Sequence, residues 1–132
     1  MNIVALLVCG VVATAIGFIW YGFLFRQPWR EGHNFSDAKS AELQKTMPIT
    51  TGIGFIGFVV TAYVLSLVLS YMHITDLYGA LRITFLLWLG FAARITFMNT
   101  LYTGGSLTVY AIDTLYTLLY MLAMAAIIIL WP

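Results

Sequence analysis

An all-α integral membrane protein, with four transmembrane helices in an up-down bundle and one short, polar, partly helical cytoplasmic connection, is the fold this sequence predicts. Three observations carry it. Four stretches are almost free of charge, and each is long enough to cross a hydrocarbon core of roughly 30 Å at about 1.5 Å per helical residue. The 132 residues are 62% hydrophobic and only 8% charged. At a mean hydropathy of +0.97, a water-soluble globule of this length has too little interior for its apolar side chains. The spans are expected at residues 2–25, 49–72, 77–102 and 107–131, with the polar connection at 26–48, so that 1–132 forms a single membrane domain. That leaves no room for a soluble catalytic domain.

The first span resembles a signal peptide at Ala13-Thr14-Ala15. No Lys or Arg precedes the apolar run, however, and it continues through Ile16-Gly17-Phe18-Ile19-Trp20, so it is read as a retained span. The only cysteine, Cys9, lies inside this span and is expected to be a small packing residue.

The polar connection holds Arg26, Arg30, Lys39 and Lys45 beside Glu31, Asp37 and Glu42. A formal net charge of +1 is too small to suggest nucleic acid. Asn34 to Lys45 reads as a short helix with Asn34 or Ser36 as N-cap, ended by Pro48. Its apolar face is thin, which fits a solvated connector. Because basic residues near span ends favour the cytoplasmic side, this connection is placed there. The chain is then a multi-pass protein of the bacterial cytoplasmic membrane with both termini on the non-cytoplasmic side. Trp20, Tyr21 and Trp29 would anchor one interface, and Tyr71, Tyr78 and Trp131 the other.

Helices in lipid associate through small residues and interhelical hydrogen bonds. Ala13 and Gly17 in span one, Gly52, Gly54 and Gly57 in span two, and Gly90, Ala92 and Ala93 in span three supply the first, mostly for internal packing. Among polar groups, Arg94 and Asp113 stand out, since a charge near the bilayer centre costs about 2.5 to 3.5 kcal/mol. Arg94 lies ten residues before Gly104 and Asp113 nine after it, at similar depth in an antiparallel hairpin. They are expected to face each other as a buried ion pair, or to share a polar cluster with Thr96, Asn99 and Thr117. A structural role is preferred over transport, because a proton path needs a longer chain of titratable groups. Arg82 does not extend one, lying about 120° around the helix from Arg94. On span four, Tyr110, Asp113, Thr117, Tyr120 and Met124 share one face at spacings of three and four, with Tyr116 beside them. This face is expected to meet other helices.

Enzyme signals are weak. His33 and His73 are expected on opposite sides of the membrane and cannot share a metal. Gly52-Ile53-Gly54-Phe55-Ile56-Gly57 matches a dinucleotide string but opens a membrane span and follows no strand, so it is a packing feature. No catalytic residue, metal ligand or cofactor is expected; a bound lipid or pigment is left open.

Gly17-Phe18-Ile19-Trp20-Tyr21-Gly22-Phe23-Leu24-Phe25 followed by Trp29, then Gly79-Ala80-Leu81 with Leu87-Trp88-Leu89-Gly90-Phe91, and Ile112-Asp113 with Tyr116 before Trp131 together resemble a bacterial membrane family known as domain of unknown function 1761. The resemblance spans the chain, and its most specific piece is Trp20-Tyr21-Gly22 with Phe25 and Trp29. It implies four membrane helices and no assigned activity. The chain departs from that pattern at Arg26-Gln27, at Leu115 and in the Gly104-Gly105 turn, and Arg94 is particular to it.

The expected function is that of a small non-enzymatic membrane protein, an accessory or structural subunit that packs by its helices in a homo-oligomer or larger membrane complex. Membrane lipid is the expected surrounding. The alternative is a homo-oligomeric transporter or channel with a path near Arg94 and Asp113, and a lipid- or quinone-directed enzyme comes last.

Overall fold

The computed structural model describes residues 2–24 and 37–131, and helix is the only regular structure among them. Helix α1 (Ile3–Ile19) runs into a π-helical turn, Trp20–Leu24. Helix α2 covers Asp37–Tyr71. Helix α3 (Leu77–Leu87), a second π-helical turn (Trp88–Ala93) and α4 (Arg94–Thr103) succeed one another without a break, and α5 covers Leu107–Leu130. Among the described residues, four helical stretches are long and apolar enough to cross a membrane: Ile3–Leu24, Lys45–Tyr71, Leu77–Thr103 and Leu107–Leu130.

The helix ends obey local chemistry. Asn2 caps α1 by accepting from the Val4 amide at 2.9 Å, and the Asp76 carboxylate caps α3 through the Gly79 amide at 2.8 Å. Gly79 has no freedom to be anything larger, because a Cβ there would lie 2.8 Å from that carboxylate. Gly104 ends α4 in the left-handed region at φ 68°, and Ser106 caps α5. His73 takes φ 55° in the turn between α2 and α3.

Two sequence expectations about elements are corrected. Pro48 does not end a connector helix, since α2 runs through it from Asp37 to Tyr71. Proline removes one N–H and crowds the carbonyl four residues back. The residues around it, Lys45, Thr46, Met47 and Ile49, are exposed, so water can serve the carbonyl that Pro48 leaves without an amide. The N-cap candidates Asn34 and Ser36, along with Phe25, Arg26, Trp29 and His33, lie outside the described residues. The second correction is that the third helical stretch is interrupted by the π-turn at Trp88–Ala93.

The molecule has two tiers. Toward the end that holds Asn2 and Trp131, the helices meet through small or slender side chains: Cys9 and Ala13 of α1, Ala62 and Leu69 of α2, Ala80 of α3, and Met124 and Ala125 of α5 form one buried cluster. Close approach carries most of this contact, with the Cys9 thiol donating to the Met124 carbonyl at 3.9 Å. Gly10 shows how close: a Cβ there would sit 2.8 Å from the Phe55 ring. Toward the other end, which holds the Gly104-Gly105 turn, polar and aromatic contacts take over.

Candidate functional site

The second tier is built around the first half of α5. From α1, the Trp20 indole donates to the Ile112 carbonyl at 2.9 Å, and the Tyr21 hydroxyl donates to the Asp113 carboxylate at 2.5 Å. From the third stretch, the Trp88 indole donates to the Thr114 carbonyl at 3.0 Å. In return, Tyr110 donates to the Ala93 carbonyl at 3.1 Å, and Tyr116 donates to the Ala13 carbonyl at 2.8 Å. Trp20, Tyr21, Trp88 and Ala93 belong to the two π-turns, so both irregular turns grip one segment of α5 from different sides. A π-turn is rare and marks functional or strained places in helices. Here each one aims an indole N–H at a helix carbonyl on its neighbour.

A short O–H···O⁻ contact such as Tyr21 to Asp113 is charge-assisted and among the stronger hydrogen bonds. Tyr21 also meets the Tyr116 ring edge-on at 5.3 Å between centroids. Tyr116 stacks edgewise on Tyr120 at 5.0 Å, and Tyr120 on Phe58 at 4.9 Å. Gly17 leaves room for the Tyr116 hydroxyl, which would stand 2.8 Å from a Cβ at that position. The face read on span four therefore divides. Tyr116 and Tyr120 turn toward α1 and α2, Tyr110 turns toward Ala93 and Phe97, and the Thr117 hydroxyl bonds back to the Asp113 carbonyl of its own helix.

Arg94 and Asp113 do not pair, a correction to the sequence reading. Arg94 is exposed, and among the described residues it makes no hydrogen bond or ion pair; Asp113 is half-buried and bonded by Tyr21. Among the described residues no hydrogen bond joins the Thr96 or Asn99 side chain to Asp113, while their carbonyls accept from the hydroxyls of Thr100 and Thr103 within α4.

The π-turn at Trp88–Ala93 is the reason. Ala80 and Thr84, both fully buried, fix the inward face of α3. Continued at 3.6 residues per turn, that face would return near Phe91 and then near Arg94 and Ile95. Phe91 and Ile95 are instead 63% and 60% exposed, and Ala93 is buried. An i→i+5 turn in effect inserts one residue and rotates the helix beyond it by about 100°. The insertion carries Ala93 inward and Arg94 outward. It also removes most of the 120° between Arg82 and Arg94, leaving both on the outward face.

The model of a family described as a protein of unknown function covers residues 4–129, nearly the whole chain. The chain belongs to that family, DUF1761. Comparison with curated proteins and with solved structures finds no match. Of the motif residues in this DUF1761 chain, Trp20, Tyr21 and Trp88 reach α5, Gly79 accommodates the Asp76 cap, and Gly22 is open; Phe25 and Trp29 lie outside the described residues.

Sequence reasoning missed the indole-to-carbonyl bonds of Trp20 and Trp88, because a helix carbonyl gives no signal as a tertiary acceptor. It also missed Thr84 and Thr114, whose hydroxyls are buried without a hydrogen-bond partner. No group of three or more His, Cys, Asp or Glu gathers among the described residues. A separate cleft of about 520 Å³ opens at the far end of the molecule between Asn2, Ser66, Ile128 and Trp131.

Proposed function

We propose that this DUF1761 chain is a small non-enzymatic integral membrane protein, an accessory or structural subunit whose helices pack against another membrane chain. It sits as an up-down bundle in the bacterial cytoplasmic membrane with both termini outside. The observation that carries this reading is the outward placement of Gly52 and Gly57 on α2. Both are exposed, and a Cβ at either would meet nothing within 4 Å. A glycine inside a helix costs about 1 kcal/mol relative to alanine. Gly10 and Gly17 offset that cost by internal contact, whereas Gly52 and Gly57 have no such return within the chain. In lipid, an outward glycine lets a neighbouring helix approach closely.

Depth supports the membrane placement. A hydrocarbon layer of about 20 helical residues, with one edge at Asn2, Tyr71, Leu77 and Trp131, has its other edge within a turn of Tyr21, Arg94 and Asp113. Trp20, Tyr21, Arg94 and Asp113 then lie near the headgroup boundary, where aromatic and charged groups are favoured. The rival reading, transport along a path shared by Arg94 and Asp113, has less support because the two groups point apart.

Mass determination in mild detergent tests the subunit reading. The expected result is a particle heavier than the 14.7 kDa chain, reduced to the single chain by Gly57→Leu with helix content unchanged. A parent protein that runs as a monomer overturns it.

A further inference from the structure

Arg94 is the one described cation near the inner edge of the third helical stretch, and its surroundings leave its charge unanswered. Among the described side chains, the carboxylates are Glu42, Asp76 and Asp113. Asp76 caps the opposite end of the stretch, Glu42 lies well beyond the polar tier on α2, and Asp113 faces inward to Tyr21. A second copy inserted in the same sense brings the same three groups at the same depths. Among the described side chains none answers Arg94, and at this depth the abundant anion is the phosphate of a lipid headgroup.

The surface beside Arg94 fits the rest of such a molecule. One turn deeper along the same outward face is Gly90, exposed and with nothing within 4 Å of a Cβ position. A further turn deeper is Leu86, 50% exposed, with Phe91 standing beside the strip. With no side chain at Gly90, the outward strip between Arg94 and Leu86 has room for a slender apolar chain. The π-turn creates this alignment, since a regular helix would turn Arg94 toward α5.

We infer that Arg94 binds the phosphate of a membrane phospholipid in the leaflet on the Gly104-Gly105 side, and that Gly90 and Leu86 seat one of its acyl chains. The site depends on the proposed membrane placement and not on the subunit reading. Arginine suits it because its planar donors match phosphate oxygens two at a time.

Native mass spectrometry of the purified chain in mild detergent tests this with three probes: dioleoylphosphatidylglycerol, dioleoylglycerol with the same chains and no phosphate, and sodium phosphate alone. The parent is expected to bind phosphatidylglycerol about fivefold more tightly than dioleoylglycerol, the effect of one basic group at a membrane surface, and to hold no free phosphate. Arg94→Gln should remove the preference, Arg94→Lys should keep part of it, and Gly90→Leu should weaken both lipids alike by filling the room left at Gly90. Equal binding of phosphatidylglycerol by parent and Arg94→Gln overturns the site, as does tight binding of free phosphate. So does a change of oligomer mass with no change in lipid, which would give Arg94 to a protein partner. Flotation of the parent with vesicles is read separately; a chain that stays in the aqueous layer fails the membrane placement itself.

Discussion

At the scale of single residues, the Tyr21–Asp113 hydrogen bond is the contact whose removal is easiest to interpret. Tyr21→Phe keeps the ring against Tyr116 and deletes only the donor, so it is expected to cost about 1–2 kcal/mol, between the values for hydrogen bonds to charged groups and those within membranes. Asp113→Asn keeps an acceptor but loses the charge. A double-mutant cycle of the two, read by thermal unfolding in detergent, should show coupling of the same order. If the effects simply add, the short contact contributes nothing to stability. The sequence made Asp113 legible as a residue needing a partner, because a carboxylate in an apolar stretch always does. It pointed to the wrong partner, since Tyr21 is 92 positions away and tyrosine is common near span ends.

At the scale of elements, the four apolar helices were legible because run length and charge depletion are set by the solvent around them, not by any tertiary contact. The cap at Ser106 was not read, whereas the turn at Gly104-Gly105 was legible from its paired glycines. The π-turn at Trp88–Ala93 was not, because no residue type encodes it and periodicity arguments assume one rise and one rotation throughout. Its consequence can be tested by removing the extra residue. Deletion of Phe91 should restore a regular helix and swing Arg94 inward by about 100°. With Cys9→Ala as background and Arg94→Cys as reporter, maleimide labelling should be rapid with the π-turn present and strongly slowed by the deletion. Equal labelling in both chains would mean that the π-turn does not set the direction of this side chain. Pro48 teaches the complementary lesson: its effect on α2 depended on whether water could reach the carbonyl behind it, and exposure is a property of the fold.

At the scale of the whole molecule, the two tiers divide the work of holding the bundle together. One end relies on close contact among Cys9, Ala13, Ala62, Ala80 and Ala125, and the other on side chains hydrogen-bonded to carbonyls of a neighbouring helix. The orientation proposed for the chain makes a direct prediction. Four of the six basic residues fall in 26–48, the segment that links the first two helical stretches, so under that proposal this end faces the cytoplasm. In a Cys9→Ala background, Ser40→Cys is expected to react with an impermeant maleimide only after the membrane is opened, and Thr75→Cys in intact cells. The reverse pattern would invert the orientation while leaving the helices and their contacts untouched, because the bundle is held by packing and hydrogen bonds that have no knowledge of which compartment lies beyond them.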